Sequence, residues 1–158
     1  VLNWLPEFTI IFLINLLSEI TDMNIKKKKV AVIGSGSWAT AVSKMMLENV
    51  KHINWFMRKP ETTEYFEKHG RNPRYLQNVE FDTNRITFYH DIDEITAESD
   101  IIVLAVPSAY LPAVFGNLKT DISKKHILSG IKGIVTDENL LVVQYLNKYF
   151  DVPFENLG

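Results

Sequence analysis

The stretch Val30-Ala31-Val32-Ile33-Gly34-Ser35-Gly36-Ser37-Trp38-Ala39 leaves this chain few ways to fold. An uninterrupted run of small and β-branched apolar residues suits a parallel strand covered on both faces. Gly34 then permits a sharp turn, Gly36 removes a Cβ where a diphosphate has to approach the main chain, and Ala39 is small enough for a helix to pack close to the strand. That helix is expected from about Ser37 to Asn49, with Ala41, Val42, Met45, Met46 and Leu47 available for its buried side. Its unbonded N–H groups and positive dipole end suit a phosphate. Two glycines and an alanine at this spacing are a weak signal alone. The strand ahead and the helix behind supply the context the motif requires.

The rest of the chain repeats the alternation. Strands are expected over His52 to Met57, Arg85 to Tyr89, Ile101 to Val106 and His126 to Ser129, with helices over Glu61 to His69, Ile92 to Ala97, Tyr110 to Leu118 and Asn139 to Tyr149. Gly70 closes the second helix in the position that favours glycine. The predicted fold class is therefore α/β, a Rossmann-type doubly wound, mainly parallel sheet with helices on both faces. With 158 residues and ordinary apolar and charged fractions, one domain with its own core is expected. A net charge of −2 gives no global field for nucleic acid or an anionic membrane. The absence of cysteine excludes disulfides and thiolate metal sites, and His52, His69, His90 and His126 lack ligand spacing, so no metal is expected.

Val1 to Asp22 stand apart. The apolar run Phe8 to Leu17 is about half the length a membrane-spanning helix needs. No basic residue precedes it and no small-residue cleavage site follows, so a secretory signal fits poorly. Met23 begins a plausible cytosolic start, Met23-Asn24-Ile25-Lys26-Lys27-Lys28-Lys29, leading directly into the first strand. Residues 1–22 are thus expected to be upstream or non-native sequence, and residues 23–158 a nucleotide-binding domain in the cytoplasm. The lysine run reads as a solvated approach to the strand.

Three positions at the strand ends carry chemistry. An acidic residue about twenty positions past the glycines ordinarily accepts a hydrogen bond from the ribose 2′-OH of NAD. No Asp or Glu lies between Asn49 and Pro60; Arg58 and Lys59 stand there, and a guanidinium pairs with a 2′-phosphate or stacks on adenine. NADP is therefore favoured, with NAD as the other candidate. Tyr75, in the loop Arg71-Asn72-Pro73-Arg74-Tyr75-Leu76, either covers a bound base or plugs the edge of the core. Lys132 lies between Gly130 and Gly133 at another strand's C-terminal end, where a lysine binds a phosphate or holds the oxygen of a carbonyl under hydride attack.

Together these residues resemble bacterial NAD(P)-dependent glycerol-3-phosphate dehydrogenase. The resemblance rests on Val32-Ile33-Gly34-Ser35-Gly36-Ser37-Trp38-Ala39-Thr40-Ala41, Arg58, Asn72-Pro73-Arg74-Tyr75-Leu76, Ala105-Val106-Pro107-Ser108 and Lys132-Gly133. It runs from about Met23 to the end of the sequence and covers only that family's N-terminal cofactor domain. It implies that Ser37, Trp38, Arg58 and Tyr75 lie along the dinucleotide with Gly34 and Gly36, and that Lys132 touches both cofactor and substrate as a catalytic group. It further implies a nicotinamide near Val106, Pro107 and Lys132, and reduction of dihydroxyacetone phosphate to sn-glycerol 3-phosphate for glycerophospholipid synthesis. The full-length enzyme's candidate assembly is a homodimer. The C-terminal domain that carries that family's proposed general acid/base lysine is not among these residues, so they are expected to bind cofactor without turnover. Two other readings share the fold: a reductase of the 6-phosphogluconate or ketopantoate type, and a non-catalytic NAD(P)-sensing module.

Overall fold

The computed structural model describes residues 27–158, so the expected leader over Val1 to Asp22 and the start at Met23 lie outside the described residues. Strands β1 (Val30–Ile33), β2 (Ile53–Phe56), β3 (Ile86–Tyr89), β4 (Ile101–Leu104) and β5 (His126–Ser129) form one sheet in the order β3-β2-β1-β4-β5. Every pairing in it is parallel. β1 sits in the middle, and the chain winds outward first to one side and then to the other, which is the doubly wound arrangement.

Side chains alternate across a strand, so β1 feeds two cores. Val30 and Val32 pack with Val42 and Met46 of helix α1 (Ser37–Asn49), with Trp55 of β2, and with Phe66 of helix α2 (Pro60–His69). Ala31 and Ile33 face the other way, onto Ile95 of α3 (Ile92–Ala97), Leu111 and Phe115 of α4 (Leu111–Phe115), and Leu146 of α5 (Val142–Phe150). Both faces are covered. That is why the β1 and β4 sequences are apolar throughout instead of alternating with polar residues. Trp55, fully buried, anchors an aromatic cluster with Phe66 and Phe81 at centroid distances of 5.2 and 5.6 Å.

The expected elements shift at several ends, each for a visible reason. Arg85 belongs to a 3-10 turn (Thr83–Arg85) and not to β3. Its guanidinium donates to the carbonyls of Leu47 and Val50, and its Nε to that of Lys51, so it caps the C-terminus of α1. β4 ends at Leu104, two residues short of the expected Val106. α4 is shorter than Tyr110 to Leu118: residues Ser108–Tyr110 form a 3-10 turn, and beyond Gly116 the Asp93 carboxylate draws the chain away by accepting from the N–H groups of Lys119 and Thr120 at 2.7 and 2.6 Å. α5 begins at Val142 instead of Asn139, because Asn139 turns with φ 51° into an antiparallel pairing of β6 (Ile134–Val135) with β7 (Leu140–Leu141). Strands of two residues carry no readable periodicity.

Candidate functional site

The C-terminal ends of β1, β2, β4 and β5, the loops after them and the loop after α2 carry the candidate site residues. Gly34 leaves β1 with φ +133°, and a Cβ there would stand 2.5 Å from the carbonyl oxygen of Ala105. Both facts demand glycine at this crossover. The turn is also tied from outside: Trp55 Nε1 donates to the Gly34 carbonyl at 2.7 Å. Gly36 differs. It is extended at the N-cap of α1, and a Cβ there would meet nothing within 4 Å. Its glycine is therefore not required by the protein's own packing, whereas a group laid against the main chain would need the space.

Thr40 fastens that cap from below, donating to the Gly36 carbonyl through both its N–H and its Oγ1 at 2.9 Å. The first turn of α1 contains no acidic residue, whereas that of α3 holds Asp93 and Glu94. An anion at the start of α1 thus meets a positive helix end that carries no negative side chain of its own. Ser37 is exposed beside it and Trp38 half-buried. The indole of Trp38 lies so close to Gly130 that a Cβ on that glycine would collide with its Nε1, so the loop after β5 packs against the first turn of α1. Lys132 is exposed on that loop, and Gly133 follows it with φ +93°.

A second wall comes from the loop after α2. Asn72 is 1% exposed, and its amide uses all of its capacity: Nδ2 donates to the Ser35 carbonyl at 3.2 Å and to Thr40 Oγ1 at 2.9 Å, and Oδ1 accepts from the N–H groups of Arg74 and Tyr75 at 3.0 and 3.1 Å. One side chain thereby clamps two loops together. Tyr75 is 41% exposed and belongs to neither core cluster, so it does not plug the core. Between this loop and the end of β2 opens a cleft of about 640 Å³ lined by Arg58, Lys59, Glu61, Tyr65, Pro73 and Arg74, among others. Three cations and one carboxylate give it a positive balance.

Gly34, Gly36, Ser37, Trp38, Arg58, Tyr75 and Lys132 thus share one rim, arranged around the glycine turn and the cleft. The sequence assigns no individual role to Trp55, Asn72 or Arg74, although Asn72 and Arg74 stand in a loop that carries the resemblance. Asn72 had a signal, since an asparagine before proline in a polar loop is a turn former that bonds its own backbone two residues on. Trp55 had none beyond its place in a strand.

Residues 29–155 match the family described as NAD-dependent glycerol-3-phosphate dehydrogenase N-terminus. An NAD(P)+ glycerol-3-phosphate dehydrogenase of Pseudomonas syringae pv. syringae is 30% identical over 134 residues, covering 84% of this chain and 38% of the relative. A glycerol-3-phosphate dehydrogenase structure from Saccharomyces cerevisiae superposes with a TM-score of 0.69 at 25% identity, over 82% of this chain and 40% of that one. The corresponding Coxiella burnetii structure, at 23% identity, shares the fold with a TM-score of 0.64 over 78% of this chain and 38% of that one. The chain therefore spans well under half the length of the relatives it matches. A match that begins one residue ahead of β1 and continues past α5 takes in the whole described sheet, and the chain belongs to the NAD-dependent glycerol-3-phosphate dehydrogenase N-terminal family.

Proposed function

We propose that this chain is the cofactor-binding part of a glycerol-3-phosphate dehydrogenase that uses NADPH in preference to NADH. The carrying observation is the pairing of an open Gly36 at the start of α1 with a cationic cleft at the end of β2, the position where an acidic residue would select NAD. Gly34, Gly36 and Ser37 would hold the diphosphate by main-chain amides, while Trp38 and Tyr75 flank the dinucleotide. Arg58 would pair with the 2′-phosphate, for which its planar fork of donors is suited. When bound, NADPH supplies the hydride. Lys132 would contact the substrate and stabilise the negative charge that grows on the carbonyl oxygen of dihydroxyacetone phosphate as it becomes sn-glycerol 3-phosphate. The proton for that oxygen would come from a group outside these 158 residues. The product would be a precursor of glycerophospholipids, made in the cytoplasm.

A fluorescence titration with NADPH and NADH tests the assignment. Wild type should bind NADPH more tightly, and Arg58→Ala should narrow that difference by weakening NADPH about tenfold while leaving NADH within about twofold, as loss of a charge-assisted contact requires. Equal affinities for NADPH in the two proteins would remove Arg58 from the site. The chain should reduce no dihydroxyacetone phosphate alone, since binding a cofactor without enclosing a substrate gives no positioned acceptor.

A further inference from the structure

We propose that Arg74 is a second specificity-determining residue, which closes on a ribose 2′-phosphate from the wall opposite Arg58. The inference rests on the nucleotide-binding reading above and adds a residue to it. The chain has four arginines, and the fold uses them in two ways. Arg71 pairs with Glu80 at 2.6 Å, and Arg85 caps the end of α1. Arg58 and Arg74 both line the same cleft, and among the described residues neither guanidinium has a carboxylate within 4.0 Å. Two cationic side chains that line one cleft, neither in an ion pair, repel each other unless an anion comes between them. Glu61, the carboxylate of the lining, leaves the cleft positive against Arg58, Lys59 and Arg74.

The placement of Arg74 is built, not incidental. Its N–H is held by Asn72 Oδ1 at 3.0 Å, and the same amide reaches Ser35 in the glycine turn at 3.2 Å through Nδ2. Gln77 Nε2 donates to the carbonyl of Pro73 at 2.6 Å, and Asn72 Oδ1 also accepts from the N–H of Tyr75 at 3.1 Å, so the backbone is tied on both sides of the arginine. The base of the Arg74 side chain is thereby registered against the turn that would carry the diphosphate. A dianionic phosphate presents three acceptor oxygens, enough for two bidentate guanidinium contacts. A 2′-hydroxyl offers neither the charge nor the oxygens. The ligand class is thus a nucleotide with a phosphomonoester on the adenosine ribose.

Competition binding of 2′,5′-ADP and 5′-AMP to the full chain tests this, with thermal melts to show that each variant is folded. Wild type should prefer 2′,5′-ADP. Arg74→Gln should weaken 2′,5′-ADP about tenfold and 5′-AMP by less than about twofold, and Arg74→Lys should restore part of the loss because charge survives without the fork. If Arg74→Gln weakens both ligands alike, the residue acts only through the loop and the proposal is wrong. If Arg74→Gln has no effect while Arg58→Gln weakens 2′,5′-ADP, Arg58 works alone; the proposal fails and NADPH binding stands. Wild type that binds both ligands equally overturns the 2′-phosphate site but leaves a dinucleotide site, and wild type that binds neither NADPH nor NADH removes both readings.

Discussion

Gly34 and Gly36 lie two positions apart and obey different constraints. At Gly34 the backbone is left-handed and the Ala105 carbonyl occupies the place of a Cβ, so the requirement belongs to folding. At Gly36 the backbone is extended and the space is empty, so the requirement belongs to whatever lies against it. Urea denaturation should separate the two. Gly34→Ala should lose about 2 kcal/mol or more, from strain and overlap together. Gly36→Ala should stay within about 1 kcal/mol of wild type, since only an N-cap preference changes. In the same proteins NADPH affinity should collapse for Gly36→Ala despite its intact fold. A stable Gly36→Ala protein with unchanged NADPH affinity would show that no diphosphate lies over this turn.

Among the elements, α3 and the segment after α4 each depend on one carboxylate. Asp91 caps α3 by accepting from the N–H groups of Asp93 and Glu94 at 2.7 and 3.2 Å. Asp93 then catches Lys119 and Thr120. The backbone N–H of Thr120 first, and that of Lys119 next, hold the Asp93 carboxyl below the ordinary aspartate value. A carboxyl whose folded pKa is depressed stabilises the protein above its unfolded pKa, and that contribution disappears as pH falls through the folded value. The melting temperature of wild type should therefore drop more steeply than that of Asp93→Asn as the medium is acidified through and below the usual aspartate range. Above that range wild type should melt higher. Parallel melting curves for the two proteins at every pH would show that the contact contributes nothing.

For the molecule as a whole, stability is concentrated at the centre of the sheet. β1 and β4 pair over their full length, from Val30 with Ile101 to Ile33 with Leu104, and are buried on both faces. The β6–β7 pairing spans two residues a side, with Ile134 40% and Leu141 51% exposed. Amide hydrogen exchange should be slowest in β1 and β4 and faster by orders of magnitude in β6 and β7, because strands at the core open only with global unfolding. Uniform protection across both sheets would contradict that hierarchy. The same contrast separates what could be read from the residue order from what could not. The buried strand, the glycine turn, the following helix and the alternation that makes a doubly wound sheet are all written in neighbouring residues, because strand burial, positive φ and helix starts act within a few positions. The cationic cleft was legible only as Arg58 and Lys59 at a strand end. The clamp of Asn72 on Thr40 joins residues 32 apart, and the Trp55 bond to Gly34 joins residues 21 apart. Arg74 entered the cleft, and Arg85 left its expected strand to cap α1, through contacts of the same long-range kind. No periodicity encodes such meetings; they arise when packing brings distant loops to one rim, where polar groups removed from water must find their partners across the fold.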